Sequence, residues 1–258
     1  MKPIFLSASI PTPDRSPEFA KTVDTACIAA AVAALVHVCL GRRRIIWGGH
    51  PAITPMIAII ADEIDVDYEK WVTLYQSDFF KDSFPEDNSK FSNIIVTENI
   101  DSSREKSLEH LRKRMFTEND VECAVFLGGM EGIRDEYAML KELSPGTRLY
   151  PLYSTGGATL SLPFEHEDNE LESLLHSSID YIDIFYRILG LSANITRDRQ
   201  SLKEQESSNI TVTAPAPFLE IPEVRISTKR VRVRPPTNKK SKIKRKSRDV
   251  QKKANRTK

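Results

Sequence analysis

The sequence has few cysteines and no segment typical of an export signal or a membrane span. Cys27, Cys39 and Cys123 lie in apolar runs, without the paired spacing of a disulfide framework or a metal site. We expect them to be thiols of a reducing compartment. The N-terminus has only a short apolar stretch, and no apolar run reaches the roughly 18 residues that cross a bilayer. These absences predict a cytoplasmic protein without a membrane partner.

Several familiar catalytic signatures are missing as well. The sequence has no Walker A motif, no G-x-G-x-x-G turn after a strand and no G-x-S-x-G elbow. Histidines, cysteines and carboxylates do not occur at ligand spacing, so we expect no metal and no cofactor. A standard dinucleotide site and a serine nucleophile are both disfavoured.

Charge is divided unevenly along a chain whose net charge is only +1. Residues 225–258 contain 16 basic residues and one acid, which leaves 21 basic and 35 acidic residues in 1–224. Such segregation indicates separate physical units. The Pro-punctuated residues 192–224 predict a linker, and residues 225–258 predict a disordered basic tail, too polar to bury a core. This tail could bind nucleic acid through phosphate charge, dock on an acidic partner, or only keep the chain in solution.

Residues 1–191 alternate short apolar runs with helical patterns. The predicted strands are 2–9, 44–47, 70–75, 93–97, 123–127 and 148–153, and the predicted helices are 23–40, 55–63, 104–116, 131–143 and 179–189. This alternation predicts an α/β domain with a Rossmann-like, doubly wound, mostly parallel sheet and helices on both faces. Pro151 favours an edge position or a short length for the last predicted strand, 148–153.

Glycines cluster where predicted strands end. Of the ten glycines, six form three doublets at these turns, and Gly132 follows one of them. Small residues let backbone N–H groups approach an anion, and the next helix adds its positive N-terminal end. A single doublet could equally be a tight turn or a packing contact, but together they predict a rim that binds phosphate and ribose. Its candidate residues are Ser7, Ala8, Ser9, Gly48, Gly49, His50, Gly128, Gly129, Met130, Glu131, Gly132, Ser154, Gly156 and Gly157.

Other side chains leave alternatives open. His50 could donate to a phosphate, act as an acid, or only cap its own turn. Phe79, Phe80, Phe84 and Phe91 either pack as a structured loop or stack on a base. Further candidate anion partners are Arg104, Arg112 and Arg134.

The turn at residues 128–136 resembles a known signature. Its sequence, GGMEGIRDE, is similar to the P-G-G-x-G-T-x-x-E motif of LOG and lysine-decarboxylase-like proteins. Leu127 stands in place of the proline, and one extra residue separates Gly129 from Gly132. With IFLSASIP, RRRIIWGGHPAITPMI, KWVTLYQSDFF and AVFLGGMEGIRDEY, residues 3–160 resemble cluster 3 of the SMF/DprA–LOG (SLOG) superfamily.

This resemblance implies a pocket for a nucleotide or a nucleotide-derived ligand, for example an ADP-ribose- or NAD-related molecule. It further implies a sensor in a microbial conflict system, possible homo-oligomers, and a separate effector protein, since no effector domain is recognisable in the sequence. Whether the chain is an enzyme stays open. One alternative is a LOG-like nucleotide N-glycosidase (phosphoribohydrolase) with Glu136 as its catalytic carboxylate. Another is a DprA-like or tail-mediated nucleic-acid-binding protein.

Overall fold

The computed structural model describes residues 1–64, 66 and 68–198. Contacts divide the chain into Met1–Thr211 and Val212–Lys258, and the second unit lies wholly outside the described residues. The predicted basic tail 225–258 and most of the predicted linker also lie outside them. Residues 192–198 are described, and they return to the body of the fold: the Asp198 amide donates to the Gly41 carbonyl over 2.8 Å.

The described residues form one six-stranded, all-parallel sheet. Its strands are β1 (Ile4–Ser9), β2 (Ile45–Trp47), β3 (Val72–Ser77), β4 (Ile94–Thr97), β5 (Cys123–Gly128) and β6 (Arg148–Leu152). They lie in the order β4-β3-β2-β1-β5-β6. The predicted α/β fold is confirmed, every predicted strand is present with its ends within two residues, and the strand with Pro151 lies at an edge.

Helices cover both faces of this sheet. They are α1 (Pro17–Ala20), α2 (Thr25–Cys39), α3 (Thr54–Glu63), α4 (Tyr68–Trp71), α5 (Arg104–Thr117), α6 (Glu131–Leu143), α7 (Asn169–Ser177) and α8 (Tyr181–Leu189). All five predicted helices are present, whereas α1, α4 and α7 were not predicted. The two four-residue helices are too short to show a 3.6-residue period, and α7 begins at a side-chain cap from Asp168, a signal that sequence reading missed.

Alternation along the strands divides the core into two layers. Ile4 and Leu6 pack with α2, α3 and α8, while Phe5 packs on the opposite face with α5 and α6. Helix α2 is apolar on most sides because it is buried between the sheet, α3 and α8. Helix α5 begins after Ser103, whose hydroxyl accepts a hydrogen bond from the Lys106 amide.

The strand order reverses at β1. The chain builds outward from β1 to β4 on one side, then returns to place β5 and β6 on the other. In open parallel sheets, the connections on either side of such a reversal diverge and leave a crevice at the carboxyl ends of the strands. Here that crevice lies at the ends of β1 and β5.

Two glycine turns pack backbone to backbone beside this reversal. The Ala158 amide donates to the Gly129 carbonyl over 3.0 Å, and the Thr155 hydroxyl accepts from the Gly128 amide over 2.8 Å. A Cβ on Gly157 would lie 2.7 Å from the Gly128 carbonyl carbon. A backbone atom cannot rotate away as a side chain does, so this contact excludes any larger residue at position 157.

Three glycine-to-alanine variants separate the cost of a left-handed φ angle from the cost of a backbone clash. Gly157→Ala meets both a left-handed φ of +65° and the backbone contact, Gly190→Ala meets only a φ of +58°, and Gly146→Ala meets neither. In urea unfolding we expect losses of at least about 2 kcal/mol, about 1 kcal/mol and close to zero, in that order. Equal losses for Gly157→Ala and Gly190→Ala would show that the turn contact contributes nothing.

Candidate functional site

A cavity of about 1290 Å³ opens at the carboxyl edge of the sheet. It is lined by the ends of β1, β2 and β3 and by residues of α5 and α6. Ten of the candidate residues named from the sequence line it: Ser7, Ala8, Ser9, Gly48, Gly49, His50, Met130, Glu131, Gly132 and Glu136. The structure therefore brings three of the four predicted turns to one place.

The other five candidates do not line this cavity. They are Gly128, Gly129, Ser154, Gly156 and Gly157. The four glycines adopt left-handed φ angles and form the packed turns beside β5, while the Ser154 hydroxyl lies 3.0 Å from that of Tyr181. For these residues the structure favours the packing interpretation of a glycine doublet.

The N-terminus of α6 has no side-chain cap. Its N-cap is Met130, whose side chain accepts no hydrogen bond, and Met130, Glu131 and Gly132 all line the cavity. The first turn of a helix carries free N–H groups and a partial positive charge. This end of the cavity suits a phosphate or carboxylate group.

Ser7, Glu136 and Arg112 form a connected wall beside that helix end. The Ser7 hydroxyl donates to Glu136 Oε2 over 2.5 Å, and Arg112 Nε donates to Glu136 Oε1 over 3.3 Å. Arg112 also contacts Asp135 and the Gly132 carbonyl. Burial raises the pKa of Glu136, and the charge of Arg112 and the Ser7 hydrogen bond only partly offset it. A carboxyl group of raised pKa in a cavity is a candidate for ligand binding or acid–base chemistry.

His50 is held in one neutral form. Its Nδ1 accepts from the Ala52 amide over 3.2 Å, which leaves the proton of the neutral ring on Nε2. Burial, assisted by the charge of Arg15, lowers the pKa of His50 to about 4. At neutral pH the ring therefore offers an uncharged N–H donor. Helix α3 follows His50 and has Ile53 as its N-cap. The Thr54 hydroxyl accepts a hydrogen bond from the His50 amide.

The end of the cavity beyond β3 combines aromatic with polar side chains. Phe80 and Phe84 line it, whereas Phe79 packs edge-on against Phe80 and Phe91 is buried in the core. Packing is therefore confirmed for Phe79 and Phe91, while base stacking by Phe80 and Phe84 stays a prediction. Gln76 also lines the cavity. The sequence analysis did not single it out, because a lone glutamine near the end of an apolar strand belongs to no motif.

The arginines differ in how far other side chains engage them. Arg112 is tied into the carboxylate wall, and Arg134 bonds to Glu131 and Ser161 beside a separate cavity of about 420 Å³. Arg15 and Arg104 line the large cavity, and the side chain of neither forms an ion pair or hydrogen bond with any described residue. Arg104 was one of the sequence candidates; Arg15 was not, because it lies in a short loop without a motif.

The described residues contain neither a metal-ligand cluster nor a membrane-spanning helix. Within that part of the chain, no three histidine, cysteine or acidic side chains are grouped so that they could hold a metal ion. None of the helices there is both long enough and apolar enough to cross a membrane.

Comparison with known proteins identifies the chain at the level of a family. A search of curated proteins and a search of solved structures each found no match. A protein-family model, described as the SLOG cluster3 family, matches residues 18–189, which cover two thirds of the chain and nearly all the elements around the cavity. That match agrees with the resemblance of the turn from Gly128 to Glu136. The chain belongs to the SLOG cluster3 family, and it therefore contains a domain of a nucleotide-related binding or processing type.

Proposed function

We propose that this protein is a sensor that binds a nucleotide-derived ligand, such as an ADP-ribose- or NAD-related molecule, in the large cavity. The observation that carries the proposal is the uncapped N-terminus of α6, which opens into a cavity of about 1290 Å³ at the reversal of strand order. A phosphate group fits that helix end. A ribose fits the hydrogen-bonding wall beside it, and an aromatic base fits the wall of Phe80 and Phe84.

Charge in the cavity supports a ligand with both anionic and hydroxyl groups. Arg15 and Arg104 supply positive charge that other described residues do not engage. Asp135 and Glu131 supply acceptors suited to ribose hydroxyls. A polyanion without hydroxyl groups would face these carboxylates without compensation, which favours a nucleotide over inorganic polyphosphate.

Binding rather than turnover is favoured by the state of Glu136. Both of its carboxylate oxygens are engaged, one by Ser7 and one by Arg112. A general base or a carboxylate that stabilises an oxocarbenium ion needs a free oxygen at the reacting atoms. We infer that Glu136 organises the wall, and that the signal passes to a separate partner protein in a conflict system.

A thermal-shift screen of the full chain tests ligand binding. The panel contains AMP, ATP, NAD, ADP-ribose, cyclic ADP-ribose and cyclic dinucleotides. A ligand at a hundred times its dissociation constant adds about 2.7 kcal/mol to the free energy of unfolding. We expect this shift in the wild type and in Ser9→Ala, and its loss in Ser9→Asp, whose carboxylate would repel an anion beside α6. Stabilisation that persists in Ser9→Asp would place binding elsewhere, for instance on the basic tail.

The glycosidase alternative rests on the raised pKa of Glu136, and base release decides it. We expect the wild type, Glu136→Gln and the control Glu131→Gln to release no more free base from the ligand than a buffer blank does. Liquid chromatography of overnight mixtures measures this. Base release by the wild type and Glu131→Gln that falls at least a hundredfold in Glu136→Gln would identify an enzyme instead.

The state of His50 can be tested through the pH dependence of stability. Its pKa is about 4 in the folded chain against an ordinary value of 6.5, so the unfolded chain binds the proton more readily. Stability contributed by the neutral ring is therefore present above pH 6.5 and is lost as the pH falls towards 4. We expect the wild type to lose more stability than His50→Gln over this range in urea titrations. Parallel curves for the two proteins would show that the ring titrates normally.

A further inference from the structure

Gln76 is a largely buried residue whose side-chain amide faces the cavity and has no hydrogen-bond partner among the described residues. It is 8% exposed and lines the cavity, and within the described ranges its only hydrogen bond outside the strand pairing is accepted by its backbone carbonyl, from Thr97. Most buried polar side chains in folded proteins are paired. The Gln76 amide is not one of the enclosed unpaired groups of the described residues, so it is open to a hydrogen-bonding molecule in the cavity.

Gly49 provides the space that this amide occupies. A Cβ at position 49 would lie 1.7 Å from Gln76 Nε2 and 3.0 Å from its Cδ. The glycine turn after β2 therefore lies directly against the amide, and no other residue at position 49 would leave the amide where it is. The glycine at position 49 thus leaves room for the Gln76 side chain, although no other described residue bonds to that side chain.

The surroundings of Gln76 suit a planar ring. Phe80, Phe84 and Pro85 follow the same strand and line the same end of the cavity. Aromatic side chains stack on heterocycles, and an amide next to such a wall can donate and accept at the ring edge. Arg104 lies in the same cavity but is exposed, and the buried Ser77 hydroxyl already accepts from the Phe79 amide, so Gln76 is the buried polar side chain here that no described residue engages.

The distance across the sheet links this end to the anion-binding end. From β5 to β3 there are three strand spacings, or about 14 Å. A ligand with its phosphate at α6 and a ring at Gln76 must therefore be elongated, with a sugar between the two groups. A free phosphate or a sugar phosphate would leave the amide unpaired.

We propose that Gln76 is the residue that recognises the base, and that it binds a heterocycle edge with a hydrogen-bond donor beside an acceptor. This inference rests on the proposed nucleotide site and adds the part of the ligand that the site distinguishes. The glutamine amide supplies the complementary donor and acceptor. A ring without that pair of groups would lose the interaction.

Calorimetric titration of the full chain tests this with AMP, CMP, GMP, UMP and ribose 5-phosphate. We expect at least one nucleotide to bind the wild type more tightly than ribose 5-phosphate does. That nucleotide should bind about tenfold more weakly to Gln76→Leu, while the affinity for ribose 5-phosphate stays unchanged. The control Lys81→Ala, an exposed residue of the same loop, should match the wild type with every probe.

Urea unfolding of the ligand-free proteins separates recognition from packing. Because the Gln76 amide bonds to no described residue, we expect Gln76→Leu to be about as stable as the wild type. A destabilised Gln76→Leu that keeps full nucleotide affinity would overturn the inference, as would an equal loss for ribose 5-phosphate and nucleotides. If ribose 5-phosphate binds and no nucleotide binds more tightly, base recognition fails while the phosphate site stands; if no probe binds the wild type, the proposed function fails with it.

Discussion

The contact between two glycine turns holds the site in place. The backbone of Gly157 and Ala158 packs directly on Gly128 and Gly129, at the end of β5. The same turn directs the chain from β5 into α6, so this contact fixes where the N-terminus of α6 lies. Since β5 is the strand that returns beside β1, the helix end opens into the crevice that the strand order creates. Gly128, Gly129 and Gly157, which the sequence predicted to bind the ligand, thus pack against each other and position α6.

The position of α6 determines which charged and polar groups meet in the cavity wall. Helix α6 carries Glu136 one and a half turns from its start, which brings the carboxyl group between Ser7 at the end of β1 and Arg112 on α5. Three elements are joined by one side chain, and the wall is formed before any ligand binds. A wall already organised needs little reordering on binding, and such preorganisation increases affinity. In the proposed site, Arg15, Arg104 and the neutral His50 ring would supply the adaptable contacts.

Much of the fold was predictable because parallel strands buried on both faces are continuously apolar. The ends of β1 and β2 and the turn before α6 were predictable as parts of a site for the same reason: carboxyl ends of parallel strands meet at one edge. Gly157 and Gly128 were not separable from ligand-binding glycines, because close packing and anion binding both require the absence of a side chain. Gln76 and Arg15 were missed because their roles depend on contacts between distant segments, which no local pattern records. The predicted basic tail lies outside the described residues and stays a prediction.

Hydrogen exchange with and without a bound nucleotide tests the central claim most directly. With ADP-ribose at saturating concentration, the account predicts slower amide exchange at the start of α6, over residues 130–134, and at the turns after β1 and β2. Amides near Leu160, beside the smaller cavity, should exchange as before. Protection confined to the smaller cavity or to residues 225–258, with the α6 amides unchanged, would contradict the assignment of the ligand to the carboxyl edge of the sheet.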